Sequence, residues 1–423
     1  MPCLIENAKK TSVPLPKWIQ SEQQLANEKI ESIPFPNSKH EHWKYLPIEK
    51  LQEINFNSVS DSVAPDLLVS TYQPLIKNKS HKIFLSNGKI IKIDESLKSI
   101  VGIYQFSDCH EVSKQFLSAL KKPSSLDPFF YFLNSKMLID GLLLEVPEGT
   151  SIDHPIHIIN LGSSDTSSIS SPRLIIRVAP NSNVKLIEEF SDLNSSDSLT
   201  NTVTQIRIED NANVHHDRIV NTNPDNYHFG QITFDLCRNA HLQSNSLALG
   251  GKITRIDLSV DLNEKGSECD LKGLYLCKGQ TIADHHTAIF HNSEHTKSSE
   301  LYRGVINDKG LGVFNGKVVV SESISRVSAT QHNNNLLLSE LASANTKPEL
   351  QIYSDDVRCA HGATVGQLDS ESLFYLRSRG IAEQQAQLLL IKGFIEEILS
   401  ENYKFMDGEF ITTSLGIERN NNE

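Results

Sequence analysis

A cysteine and a histidine stand two residues apart in the C-terminal part of the chain, at Cys359 and His361. Alternate side chains of an extended strand project from the same face, so the thiol and the imidazole would lie about 7 Å apart. A thiolate and an imidazole suit iron, zinc or copper, and the neighbouring Arg358 is expected to lower the pKa of the thiol. The competing interpretation is an inert buried cysteine beside a surface histidine, because a Cys-x-His pair alone is common.

The pair supplies only two ligands, whereas a closed structural metal site needs about four. The other ligands would have to come from elsewhere in the fold, from sulfide or from a partner chain. The incomplete set therefore favours a transient or shared metal site over a permanent structural one.

Two groups of histidines are the other candidate metal ligands. The first group is His215-His216-Asp217, and the second contains Asp284, His285, His286, His291 and His295. Adjacent side chains on a strand point to opposite faces, so His285 and His286 cannot easily share one metal. Hydrogen-bonded histidines on strands and turns are therefore the favoured interpretation, and a self-contained metal site stays the alternative.

The sequence lacks several common catalytic motifs. It contains no G-x-x-x-x-G-K-[ST] phosphate loop, no G-x-S-x-G nucleophile elbow and no H-E-x-x-H zinc pair. We therefore expect no nucleotide hydrolysis by this chain itself.

The composition is that of a folded acidic protein. In 423 residues, 40 Lys and Arg face 52 Asp and Glu, a formal charge of -12 that argues against nucleic acid and anionic membranes as main partners. No run approaches the roughly 20 apolar residues that span a bilayer, and we see no secretory signal. The six cysteines are scattered without a C-x-x-C pair, so we expect a cytoplasmic protein with free thiols.

The elements that position the Cys-x-His pair belong to a β-rich region, which we place at residues 138–368. Apolar residues alternate in short runs, most clearly at Ile256, Leu258, Val260 and Leu262. Small residues recur in the turns between runs, at 149, 182, 212, 240, 266 and 310. This loose repeat lies in the size range of solenoid units, and ordinary hairpins in a sandwich explain the spacing equally well.

The regions on either side have a different pattern. Residues 1–137 form a mixed, helix-leaning region with a helix over 21–33, a hairpin over 82–93 around Asn87-Gly88, and a helix over 111–122. Residues 369–423 form a helical region. Asp369 is expected to cap a helix that carries Leu373, Phe374 and Leu376 and ends at Gly380. A second helix over 382–399 is expected to pack through Ala386, Leu389, Leu390, Phe394 and Ile398, and the tail at 420–423 to be disordered.

An ordered series of segments resembles the SufD family, the scaffold subunits of the SUF iron–sulfur cluster assembly system. The resemblance is dense over about 284–380 and brief at 41–45, and the Cys-x-His form separates this family from its SufB paralogues. The segments are Glu41–Tyr45, Asp284–Thr287, Tyr302–Val305, Gly312–Lys317, Asn335–Ser339, Lys347–Leu350, Tyr353–Val357, Cys359–Gly366 and Phe374–Gly380.

The resemblance implies a mainly β fold, a right-handed parallel β-helix flanked by N-terminal and C-terminal helical regions. It implies a non-catalytic scaffold in which His361, assisted by Cys359, helps to hold a transient iron–sulfur cluster shared with SufB. It also implies that the chain forms a heterodimer with SufB through the β-helix. The ATPase SufC would dock on the C-terminal helices, at Phe374, Tyr375, Arg377 and Arg379.

Several alternatives stay open from the sequence. A reduced flavin in the complex and a homodimer of the chain alone are two of them. A β-helical enzyme acting on polysaccharide and a self-contained histidine-based metalloenzyme are the two competing functions.

Overall fold

The computed structural model describes residues 17–58, 65–109, 127–162, 167–193, 197–399 and 403–417. The chain is mainly β, with a parallel β-solenoid of about 7 turns and helices toward both termini. The predicted fold class is therefore confirmed, and the sandwich of hairpins is wrong. The helix predicted over 111–122 and the tail at 420–423 lie outside the described residues.

The solenoid is built from two sheets whose strands alternate along the chain. The strands are β1 (Asn57–Ser58), β2 (His81–Ser86), β3 (Lys89–Ile93), β4 (Gly102–Gln105), β5 (Leu142–Val146), β6 (Ile156–Gly162), β7 (Ser168–Ser170), β8 (Arg173–Val178), β9 (Asn183–Asp192), β10 (Leu199–Ile208), β11 (Asn213–Asn221), β12 (Tyr227–Leu236), β13 (His241–Ala248), β14 (Ile253–Leu262), β15 (Glu268–Cys277), β16 (Ile282–His291), β17 (Lys297–Ile306), β18 (Leu311–Val320), β19 (Val327–Leu337), β20 (Ser343–Ile352) and β21 (Val357–Gln367).

The first sheet has the order β20-β18-β16-β14-β12-β10-β8-β5-β4, with β7 pairing β10 and β1 pairing β7. The second has the order β21-β19-β17-β15-β13-β11-β9-β6-β2-β3. All pairs are parallel except β2–β3 and β4–β5. Each turn of the solenoid therefore contributes one strand to each sheet, and equivalent residues stack in columns along the axis.

Apolar columns fill the space between the two sheets. Ile206 pairs with Ile176 on one side and with Phe234 on the other, and all three side chains are buried. The alternating residues of β14, from Ile256 to Leu262, are also buried as predicted. Parallel stacking of large apolar side chains removes them from water in every turn, and this burial stabilises the solenoid.

One corner of the solenoid, where each strand of the first sheet leads into the second, repeats a left-handed residue. These residues have φ between 53° and 75° and fall at Gly149, Asn181, Asn211, Asn239, Gly266, His295 and Arg326. The backbone N–H of Asn181 donates to the Asp210 carbonyl at 2.9 Å, and that of Asn211 donates to the Arg238 carbonyl at 2.9 Å. Five of the six small residues noted in the sequence lie in these turns.

The sixth, Gly310, lies at the opposite corner between β17 and β18. The left-handed residue that continues the series is His295, which is not small. The spacing of the left-handed turns is therefore regular. It looked irregular in the sequence because Gly310, which belongs to the other corner, was counted with them.

The N-terminal elements close the first turns of the solenoid. Helix α1 (Lys17–Ser32) confirms the predicted helix, and α2 (Pro65–Thr71), α3 (Glu95–Lys98) and α4 (Pro128–Lys136) follow. The predicted hairpin is formed by β2 and β3, with Asn87 and Gly88 at φ 50° and 91°. Short 3₁₀ turns occupy Glu41–Trp43, Ile48–Gln52 and Phe106–Asp108.

Among the described residues, three helices follow β21: α5 (Ser370–Ser378), α6 (Glu383–Ile395) and α7 (Gly408–Leu415). The Asp369 side chain accepts hydrogen bonds from the backbone N–H of Glu371 and Ser372, so the predicted cap is confirmed. Helix α5 has no buried residue, although its apolar positions suggested a packing face.

The expected packing stripe of α6 is partly wrong. Leu389 is 50% exposed, whereas Ile391 and Ile395 are fully buried against the outer face of the second sheet, near Leu274 and Val305. No helix of the described residues is long and apolar enough to cross a membrane.

Candidate functional site

The Cys-x-His pair lies on β21, the last strand of the second sheet. The two residues share one face of that strand, the face that continues the interior of the solenoid. Cys359 is half-buried and packs against the apolar interior, while His361 is exposed. The pair therefore sits at the end of the solenoid, with the imidazole open to solvent or to a partner.

The last turn of the solenoid is uncovered in the part of the chain that the structure describes. β20 and β21 each end their sheet, so no described strand pairs with their outer edges. Neither strand contains a buried residue, in contrast to β18 and β19. A row of unpaired backbone N–H and C=O groups is therefore available for another chain.

A polar column lies beneath His361 inside the solenoid. His361 pairs with Gln331 of β19, which pairs with Glu300 of β17. Gln331 Nε2 donates to Glu300 Oε2 at 2.5 Å, and both side chains are fully buried or nearly so. Burial raises the pKa of Glu300 to about 7. Sequence reasoning missed both residues, because only the register across consecutive turns brings them under His361.

A glycine in the facing sheet makes room for this column. A Cβ at Gly316 would lie 2.1 Å from Gln331 Nε2, so any side chain there would displace the amide. Gly316 belongs to the segment Gly312–Lys317 noted in the sequence. The space that the Gln331 amide occupies is one physical reason for glycine at position 316.

The chemistry of Cys359 differs from the expectation. Burial raises the pKa of its thiol, and Arg358 belongs to the opposite face because adjacent strand residues alternate. The expected lowering of the thiol pKa by Arg358 is therefore wrong, and the half-buried thiol stays protonated at neutral pH.

A cleft of about 510 Å³ is lined by Glu41 and His42 of the 3₁₀ turn and by residues of β14, β16, β18 and β20 in the first sheet. It brings together two segments singled out in the sequence, since the rings of His42 and His286 are 6.0 Å apart at their centroids. Beneath them the buried Arg255 donates to Asp284 Oδ2 at 2.9 Å and to Asp257 Oδ1 at 2.8 Å.

A family model described as the SufBD core domain of the SUF system for FeS cluster assembly matches residues 159–394, more than half of the chain. The chain belongs to the SufBD family. The matched range begins within β6 and contains the later strands of the solenoid, the Cys-x-His pair and helix α5.

Curated relatives extend the similarity beyond the matched core. The iron–sulfur cluster assembly protein SufD of Escherichia coli is 29% identical over 367 residues, which cover 86% of this chain and 84% of that protein. An iron–sulfur cluster assembly SufBD family protein of Synechocystis is 27% identical over 90% of this chain and 87% of its own length. SufD of Bacillus subtilis is 24% identical over 91% of this chain and 90% of its own length. The resemblance to SufD drawn from the sequence is therefore confirmed.

Five of the six histidines in the two groups are hydrogen-bonded or buried, as the favoured interpretation held, and the sixth, His295, lies partly exposed in a left-handed turn. His285 points inward between the rings of Tyr275 and Tyr302, and burial lowers its pKa to about 4. His286 points outward, with Nε2 3.0 Å from Asp284 Oδ1. His291 bonds Thr296 Oγ1 at 2.7 Å.

The other group behaves in the same way. His215 Nε2 lies 3.2 Å from Asp217 Oδ1, and His216 Nε2 lies 3.0 Å from Glu188 Oε1. Among the described residues, no group of three potential ligands that could hold a metal ion contains a histidine.

Helix α5 presents the residues predicted to contact an ATPase. Phe374 is 74% exposed and Tyr375 is 57% exposed, and Arg379 lies over the Tyr375 ring at 5.2 Å. Arg377 pairs with Glu383 at 3.2 Å. These contacts neither test nor exclude a partner, so the assignment of this surface stays a prediction.

Proposed function

We propose that this chain is a non-catalytic scaffold subunit for iron–sulfur cluster assembly. It pairs with a SufB-type chain through the open end of its solenoid and docks a SufC-type ATPase on its C-terminal helices. The observation that supports this most is the position of His361, which is exposed on the last, uncovered strand of a SufBD solenoid.

The open end supports pairing with another solenoid. Two free strand edges offer main-chain hydrogen bonds to an incoming strand, the mode of recognition known as strand addition. Exposed Ile352, Tyr353 and Val365 lie in or next to these strands and would lose water contact on pairing. A second β-helix with a similar free end is a partner of the required shape.

His361 is the proposed ligand of a nascent cluster at that interface. A neutral imidazole binds iron without losing a proton, whereas the Cys359 thiol must first give one up. His361 is therefore the main ligand from this chain, and Cys359 assists. The remaining ligands would come from sulfide and from a cysteine of the SufB-type partner, so the cluster is cargo rather than a resident cofactor.

Helix α5 supports the second part of the proposal. Phe374 and Tyr375 are large, exposed aromatic residues on a helix with no buried residue, which is typical of an interaction surface. The sequence contains no phosphate loop, so ATP hydrolysis would belong to the partner. We further propose that closure of the ATPase on ATP moves the two scaffold chains and exposes the shared site.

The experiment is anaerobic cluster assembly on the complex purified with a SufB-type chain and a SufC-type ATPase. His361→Ala should remove most of the cluster, measured as bound iron and sulfide per complex, while the complex itself stays intact by gel filtration. His332→Ala is the matched control, because His332 is exposed one strand away on the opposite face. Normal cluster content in an intact His361→Ala complex would refute the assigned role.

A further inference from the structure

Three potential metal ligands meet on the corner of the solenoid that carries the left-handed residues. Asp210, Cys237 and Glu264 lie in three consecutive turns, between β10 and β11, β12 and β13, and β14 and β15. The carboxylate oxygens and the thiol sulfur all lie within 4.8 Å of one another. Since neighbouring strands are about 4.8 Å apart, the parallel register itself brings the three side chains together.

The thiol is the feature that separates this group from an ordinary patch of surface carboxylates. Cys237 is a free cysteine that is only 5% exposed, and its sulfur makes no hydrogen bond to any other described residue. Burial raises the pKa of its thiol to about 11, the nearby Arg207 guanidinium opposes this rise, and the carboxylates around the thiol, Asp235 among them, add to it. The buried Cys237 thiol therefore lies beside two carboxylates without a hydrogen-bond partner of its own. A bound cation would stabilise the negative charge on all three side chains.

We propose that Asp210, Cys237 and Glu264 form a binding site for one divalent transition-metal ion of the zinc or ferrous class. One thiolate with two carboxylates favours these ions over Mg²⁺ and Ca²⁺, which take oxygen ligands alone. Three protein ligands leave a position for water, so the ion can exchange. On binding, the metal–sulfur bond replaces the S–H bond, and one proton passes to solvent.

The Arg238 guanidinium competes with a metal ion for the Asp210 carboxylate. Arg238 Nη2 lies 2.7 Å from Asp210 Oδ2, so the metal must share or displace this ion pair. Both partners are partly exposed, and such pairs contribute little free energy. Metal binding is therefore weakened by Arg238 but not prevented.

This proposal does not rest on the proposed function. The site lies four turns of the solenoid from His361, which is about 20 Å along the axis at the spacing of parallel strands. If metal binding at this site were refuted, the proposed role of His361 would be unaffected, and the converse also holds.

The test is titration of the reduced, metal-free full chain with Co²⁺, whose bond to a thiolate gives a near-ultraviolet charge-transfer band. We expect one equivalent to produce the band and to release about one proton. Cys237→Ser should abolish the band. Glu264→Gln, which changes an exposed side chain, should weaken binding at least about tenfold, since even outer-shell changes cost that much.

Three further variants show which side chains contribute to binding. Arg238→Gln should tighten binding, because it frees Asp210. Glu294→Gln, an exposed acid in the next turn along the same corner, should leave affinity unchanged, and so should Cys359→Ser. A band that is missing in the wild type, or one that survives Cys237→Ser, would overturn the proposal.

Discussion

The guanidinium carbon of Arg255 lies 3.9 Å from the centroid of the Trp43 ring. This contact joins β14 to the 3₁₀ turn of the N-terminal segment, and Arg255 Nη1 also donates to the His42 carbonyl at 2.6 Å. Trp43 Nε1 in turn donates to Asp127 Oδ2 at 2.8 Å. The Glu41–Tyr45 segment noted in the sequence is therefore fastened to the solenoid through His42 and Trp43.

Replacement of Arg255 should strongly destabilise the protein. Arg255→Met would leave the buried carboxylates of Asp257 and Asp284 without their cation, which typically costs about 3–5 kcal/mol. Urea denaturation measures the loss in the free energy of unfolding. Lys297→Met is the control, because the Lys297–Glu268 pair is exposed and should contribute at most about 1 kcal/mol. Equal losses in the two variants would contradict the role given to Arg255.

The buried carboxyl of Glu300 should make stability depend on pH. Its pKa in the folded protein is about 7, raised from 4.5 by burial. Between these pH values the folded state holds a proton that the unfolded state has lost, so the free energy of unfolding falls as pH rises. The loss from this group approaches roughly 3 kcal/mol by pH 8.

Glu300→Gln removes the ionisable group and keeps an oxygen that can accept from Gln331. The free energy of unfolding of this variant should therefore fall less than that of the wild type between pH 5 and pH 8. Glu340→Gln, at an exposed position, should behave like the wild type. If both variants kept the wild-type pH dependence, Glu300 would not be the titrating group.

Local signals in the sequence predicted local structure well. The alternation in β14, the Asn87-Gly88 hairpin and the Asp369 cap each depend on a few neighbouring residues, and each is present. The packing face of α6 was predicted less well. Leu389 has the right spacing but is exposed, because the sheet beneath selects the face that carries Ile391 and Ile395.

Features that depend on the register of distant strands could not be predicted in this way. Glu300 and Gln331 lie under His361 only because three strands pair in one register. Cys237 appeared in the sequence as one of six scattered cysteines, yet the same stacking places it between two carboxylates. The left-handed turn at His295 was not predicted, because histidine is not one of the small residues that lie in the other turns.

The side chains of Asn181, Asn211 and Asn239 form a hydrogen-bonded asparagine ladder at the left-handed corner of the solenoid. This ladder predicts that two glycine substitutions lower the free energy of unfolding by different amounts. Asn211 Nδ2 donates to Asn181 Oδ1 at 3.2 Å and Asn239 Nδ2 to Asn211 Oδ1 at 3.1 Å. A Cβ at Gly266 would lie 2.3 Å from Asn239 Oδ1, so Gly266→Ala should break the ladder as well as strain the backbone.

Gly279 is the matched control, because it also has a positive φ but no atom within 4 Å of an added Cβ. Gly279→Ala should cost about 1 kcal/mol from the left-handed backbone alone. Gly266→Ala should cost at least about 1 kcal/mol more, measured by chemical denaturation. Equal costs would mean that the ladder adapts freely.

The exposed aromatic residues of α5 give a test of ATPase docking that is independent of cluster chemistry. Phe374→Asp places a charge in the centre of the proposed interface but changes a side chain that is 74% exposed, so the fold should be unaffected. We expect binding of the SufC-type partner to weaken at least about tenfold, as for a central aromatic contact. Isothermal titration calorimetry with the purified ATPase measures this. Leu341→Asp, a 66% exposed apolar residue between β19 and β20, should bind normally, and unchanged binding by Phe374→Asp would move the docking surface away from α5.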